Sequence, residues 1–127
     1  MEFPAHLWDD PADRELARGA ADLFADAPLV LTDRLANSVF LSPAAERLLG
    51  DRAPALVNRA CYSLLGFDSG ERPPDALATA LLGEREPWKA MVLLAGRGCH
   101  VEASAIRRGA RLVCGVLRLT PRTDGGR

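Results

Sequence analysis

The sequence predicts an α+β domain, and three observations carry that prediction. An amphipathic helical stretch near the N-terminus is followed by two short strand-like runs, Pro28–Thr32 and Val39–Leu41. Apolar residues then recur at helical spacing through Asp51–Gly66 and Asp75–Leu82. The last third holds three strand-like runs, Trp88–Leu94, Cys99–Ile106 and Arg111–Thr120, parted by short glycine-bearing turns that read as an antiparallel meander.

The elements follow in order. Phe3, Leu7 and Trp8 form an apolar cluster ahead of Asp10-Pro11, which is a helix start: aspartate at the cap, proline where its missing N–H costs nothing. Leu16, Ala20, Leu23, Phe24 and Ala27 then lie on one apolar stripe, which Pro28 ends. Such a helix packs on its own domain or is shared with a second subunit. Between the first two strands Leu35-Ala36 cannot supply a positive φ cheaply, so Asn37 is expected in the left-handed position. Ser42-Pro43 opens the helix Ala44–Leu49, which stops at Gly50. Asp51–Gly66 reads as mostly helical, with Leu56, Val57, Ala60, Cys61, Leu64 and Leu65 on one stripe. Phe67–Pro74 is a loop, because its Pro-Pro forbids helix before it. Asp75 caps a helix to Leu82 with Leu77, Ala78, Leu81 and Leu82 inward, and Gly83 ends it.

The stretch Ala27–Gly50, APLVLTDRLANSVFLSPAAERLLG, resembles without a gap the opening of a PAS domain, roughly "aPivvtDrdGrIvyaNpAAerllG". Two departures stand out: Leu35-Ala36 where the family carries Asp-Gly, and Ser42 for its asparagine. The order of elements continues the resemblance over roughly Ala27–Thr120. It implies a PAS-like five-stranded antiparallel sheet with helices on one face. The chain then divides into an N-terminal helical cap (1–26), the PAS-like domain (27–120) and a polar tail (121–127). Larger PAS sensors usually end in an Asp-Ile/Val-Thr motif that feeds a coiled-coil linker. Leu119-Thr120 lacks its aspartate, so that covalent route of transmission is expected to be absent.

Composition excludes several classes. At 127 residues, 48% apolar and 26% charged, the chain is one globular domain able to bury roughly two thirds of its unfolded surface. A net charge of −1 with interspersed signs offers no footprint for nucleic acid; Arg107, Arg108 and Arg111 read as a solvated hairpin. No apolar run approaches the ~20 residues of a membrane span, and the acidic N-terminus is no signal peptide. Three widely spaced cysteines, Cys61, Cys99 and Cys114, favour reduced thiols and a cytoplasmic location.

No cofactor and no metal are expected. In the light-oxygen-voltage subfamily of PAS domains a helix cysteine forms a flavin adduct, and Cys61 lies at about the corresponding place. That subfamily writes Gly-Arg-Asn-Cys-Arg-Phe-Leu-Gln, whereas Cys61 sits in Asn58-Arg59-Ala60-Cys61-Tyr62-Ser63-Leu64-Leu65. Leu93-Leu94 and Val101–Ala103 replace its flavin-binding asparagines, and Leu117 falls near its glutamine. A flavin edge left unpaired in an apolar pocket costs on the order of 1–3 kcal/mol per polar atom. Cys61-Tyr62 and Gly66 also resemble a bacterial PAS subgroup with further cysteines, for which Arg72-Pro73-Pro74 stands here. Cys61 therefore reads as a buried small hydrophobe. Heme needs a histidine, and the helix Asp75–Leu82, where the resemblance to heme-binding PAS domains implies it would stand, has none. Cys99 and His100 are adjacent on a strand and point to opposite faces, so they cannot share a metal. No motif places a base beside a nucleophile, so no catalytic residue is assigned.

The expected function is a non-catalytic cytoplasmic signalling or sensor module that dimerises or binds an unidentified signalling protein. Phe3, Leu7, Trp8, Leu16, Leu23 and Phe24 are the candidate dimer contacts. The alternative is a sensor for a small apolar ligand, held under helix 75–82 by Cys61, Leu81, Val92, Leu94, Val101, Ala103, Ala105 and Leu117. The last hairpin decides part of that lining. A turn at Arg108-Gly109 pairs Ala103 with Cys114 and turns Cys114 inward; a three-residue turn pairs Ala103 with Gly115 and turns Val113 and Leu117 inward.

Overall fold

A computed structural model of the chain describes residues 2–23, 26–67, 75–84, 86–94 and 96–122. Most of the expected loop Phe67–Pro74, the tail beyond Arg122 and Phe24 lie outside them. Helix α1 (Pro11–Leu23) precedes β1 (Leu29–Thr32) and β2 (Ser38–Leu41). Four short helices follow: α2 (Pro43–Leu49), α3 (Ala53–Leu56), α4 (Cys61–Leu64) and α5 (Asp75–Leu81). Strands β3 (Trp88–Leu94), β4 (Arg97–Arg108) and β5 (Arg111–Pro121) end the fold. The five strands form one sheet in the order β2-β1-β5-β4-β3, every neighbouring pair antiparallel.

Each face of the sheet has its own core. On the inner face α2–α5 bury Val30, Leu41, Leu49, Leu64, Leu77, Leu81, Leu94, Val101, Leu117 and Leu119. On the outer face the N-terminal segment covers Leu29, Leu31, Val39, Phe40, Val113, Cys114 and Val116 with Trp8, Ala17 and Ala21. α1 is thus rotated from its expected stripe. Its buried residues are Asp13, Ala17 and Ala21, while Leu16 and Leu23 are 40% and 77% exposed. The reason is electrostatic. Asp13 shares the alanine face and is drawn to Arg108 and Arg111, and small side chains there let the helix sit close to the sheet.

Four further expectations change. Ala36 (φ 63°), not Asn37, takes the left-handed position between β1 and β2. The Asp33 carboxylate dictates this: Oδ1 accepts from the Leu35 and Asn37 amides at 2.9 Å each, and the Ala36 amide donates to the Asp33 carbonyl. The run Asp51–Gly66 is not one helix. Asn58 (φ 67°) breaks it, because residues 58–61 pair with the start of β2. Asn58 and Cys61 donate to the Ser38 and Ala36 carbonyls, and Ser38 donates to Arg59, covering part of an edge strand. α5 runs two turns only and starts at Asp75 rather than after it, with Leu77, Ala80 and Leu81 buried.

The hairpin register is neither of the two expected. Gly109-Ala110 forms a two-residue turn between paired Arg108 and Arg111, and an irregularity between Ile106 and Arg107 then shifts the pairing to Ala103–Leu117. Leu117 and Leu119 face inward, whereas Val113, Cys114 and Val116 pack under the N-terminal segment.

Candidate functional site

The outer face divides into a covered and an open half. The covered half is anchored by Trp8, whose Nε1 donates to the Val113 carbonyl at 2.8 Å. Phe3 stacks on Trp8 at 5.2 Å and meets Phe40 edge-on, and the Arg18 guanidinium lies 4.7 Å from the Phe3 ring centre. Arg14 donates twice to the Trp8 carbonyl. Asp10 caps α1 by accepting from the Ala12 amide at 2.8 Å, as the sequence led one to expect.

That cap is also an anchor. Arg108 and Arg111 each reach both Asp10 and Asp13, at 2.8 and 3.2 Å and at 3.1 and 3.1 Å. The Ala12 amide foremost, then the Asp13 amide and the two guanidinium groups, hold the Asp10 carboxyl down at about 2. Arg107 points elsewhere and donates to the Leu82 and Ala110 carbonyls. The arginines read from sequence as solvated are all engaged. The partners of Arg108 and Arg111 lie far away in the chain, so local sequence carried no signal of those pairs.

The open half lies over β3, β4 and the end of β5. Lys89, Glu102 and Arg118 form a cross-strand row with contacts of 3.6 and 3.3 Å. Beside it stand exposed His100, Thr120, Met91 (45% exposed) and Leu93 (73%). These strands floor a shallow groove of about 530 Å³ that includes Lys89, Met91, His100 and Arg118. Apolar and charged groups alternate on it, the composition of an interface rim.

The candidate ligand residues converge on the inner face. Cys61, Leu81, Leu94, Val101, Ala103 and Leu117 are 0–2% exposed within one packed cluster; Val92 packs against it and Ala105 is half-buried. Of them, Val101 borders the shallow groove over β3 and β4. Among the described residues two buried hydroxyls lack a hydrogen-bond partner, those of Thr32 and Ser38, a cross-strand pair. Next to them Gly115 admits no side chain, since a Cβ would fall 2.1 Å from Thr32 Oγ1 and 3.1 Å from the Leu81 carbonyl. Of the candidate dimer contacts, Phe3 and Trp8 are turned onto the chain's own sheet, Leu7, Leu16 and Leu23 are exposed, and Phe24 lies outside the described residues.

The thiols are poor nucleophiles. Burial pushes Cys61 and Cys114 up to about 12 and raises Cys99 as well. Cys99 is buried and its neighbour His100 exposed, on opposite faces as alternation demands. Among the described residues no group of three or more His, Cys, Asp or Glu could hold a metal ion, and no helix is long and apolar enough to cross a membrane.

No family model and no curated protein matches the sequence. Solved structures do match in shape. The PAS domain of nitrogen regulation protein NR(II) from Vibrio parahaemolyticus is 18% identical, with a TM-score of 0.57 over 81% of this chain and 97% of that one. The PAS domain of BvgS from Bordetella pertussis is 17% identical, TM-score 0.59, over 86% and 88%. The LOV protein of Rhodobacter sphaeroides is 16% identical, TM-score 0.62, over 90% and 69%. The chain has the PAS fold.

Proposed function

We propose that this PAS-fold chain is a non-catalytic signalling module of a cytoplasmic regulatory pathway, acting by protein–protein contact and forming a homodimer. The observation that carries the reading is the contrast between the two faces. The space a ligand would take under α5 is filled by Leu81, Leu94, Val101 and Leu117, while the outer face presents Met91 and Leu93 and α1 presents Leu16 and Leu23 to water. Large apolar side chains left in water on one face mark a surface that another protein covers.

Sedimentation equilibrium tests it. A concentration-dependent dimer is expected, and Leu93→Glu should raise its dissociation constant at least about tenfold, a loss of about 1.4 kcal/mol. A concentration-independent monomer would overturn the homodimer. A second reading, a small-molecule sensor, is favoured by the two buried hydroxyls without partners at Thr32 and Ser38, which a ligand's polar group could satisfy. Native mass spectrometry that finds a co-purified small molecule would decide for that reading.

A further inference from the structure

The β4–β5 hairpin carries three arginines at its tip, and they fasten to opposite sides of the sheet. Arg108 and Arg111 are a cross-strand pair, so both point to the outer face, where Asp10 and Asp13 at the start of α1 receive them. Arg107 pairs with Leu112 one position along and points inward. Its Nη1 donates to the Leu82 carbonyl at 2.9 Å, just past the end of α5, and its stem rests on Gly83. A Cβ at Gly83 would lie 2.7 Å from Arg107 Cδ, so the glycine (φ 74°) is what lets the stem lie there. Nη2 of the same guanidinium donates to the Ala110 carbonyl and ties the grip to the turn itself.

We propose that this hairpin is a relay between the two faces: displacing the C-terminal turn of α5 releases Arg107, reorients the tip and loosens α1 from the sheet. Three positive charges crowd one turn, and Asp10 and Asp13 at the start of docked α1 offset those of Arg108 and Arg111. The Arg107–Leu82 bond and the Arg108–Asp10 pair are exposed and charge-assisted, so each exchanges with water more readily than an apolar core contact. Finally, release of α1 would uncover an apolar patch that includes fully buried Cys114. The relay acts within one chain and does not rest on the contact role proposed above. What it adds is a way for an event on the inner face to expose or hide the outer one.

Two cysteines make the test internal. Cys114 lies under α1 and Cys61 lies in the inner core, both fully buried and both with thiols held near 12. Maleimide labelling of the whole chain, resolved by mass spectrometry, reads the opening of each face separately. Arg107→Ala should raise the Cys114 rate about fivefold or more while leaving Cys61 slow, the lower end of typical coupling between sites. Arg107→Lys, which keeps the stem but loses the fork, should give a smaller rise. In the reverse direction, Arg108→Ala with Arg111→Ala should speed amide exchange at Gly83 and Glu84, which donate to the Ala80 and Thr79 carbonyls. The proposal falls if Arg107→Ala speeds exchange at Gly83 and Glu84 but leaves Cys114 labelling unchanged. It falls equally if Cys61 and Cys114 rise together, since that is general unfolding rather than release of one face.

Discussion

The two cores are built from different material. The inner one is leucine, valine and small residues, held by burial that has no preferred direction. The outer one is a stacked ring pair, an alanine-faced helix, one indole hydrogen bond and a set of ion pairs, each needing its partner in a particular place. Burial resists partial opening, because every small displacement exposes area. Directional contacts break one at a time and can be remade. The inner face is therefore suited to stay closed, and the outer to open and shut.

The comparison breaks if both faces respond alike to damage. Leu117→Ala should cost about 3 kcal/mol in urea denaturation and speed labelling of Cys61 and Cys114 together. Trp8→Ala should cost about 2 kcal/mol, at the lower end of core truncations, and speed Cys114 alone. Equal losses from the two would mean one cooperative core.

Smaller changes sharpen the picture. Gly83→Ala should cost about 1–2 kcal/mol, from its positive φ and its contact with Arg107. Ala36→Gly should alter stability by less than about 1 kcal/mol, since relief of left-handed strain offsets a lost methyl contact, whereas Ala36→Val should lose more than about 2 kcal/mol. Least of all is an acid effect. The Asp10 carboxyl is held below its ordinary 3.8 at about 2, so its contribution is whole above pH 3.8 and fades as pH falls toward 2. Trp8 fluorescence, followed in a Trp88→Phe background, should shift across that interval, and Asp10→Asn should flatten the change.

Legibility followed the range of the cause. Helix caps at Asp10 and Ser42, the Gly50 stop and the meander are set by neighbours a few residues apart, and they stood where the sequence placed them. The rotation of α1 depends on Asp13 meeting Arg111 across nearly the whole chain, and no periodicity reports that. The break at Asn58 has the same origin, since its amide answers to Ser38 in another element. Hairpin register failed for a finer reason: the turn sits at Gly109-Ala110 and an irregularity beside Arg107 adds one more residue of shift, and each one-residue slip exchanges the two faces. The inner candidates Cys61, Leu81, Leu94, Val101, Ala103 and Leu117 were readable as a group, because apolar alternation in β3–β5 and helical spacing around Cys61 and Leu81 assign them to one side. What surrounds them came only with the packing.

Ser42 carries one more consequence. Its Oγ accepts from the Leu29 and Ala45 amides and donates to the Ala27 carbonyl, so one oxygen closes β1, β2 and α2 into a local unit. The other edge of β1 is completed by β5, from the far end of the chain. Folding thus has an early, sequence-local step and a late one that waits on the last strand. Ser42→Ala should slow refolding more than it speeds unfolding in stopped-flow measurements, marking this oxygen as part of the nucleus on which the sheet later closes.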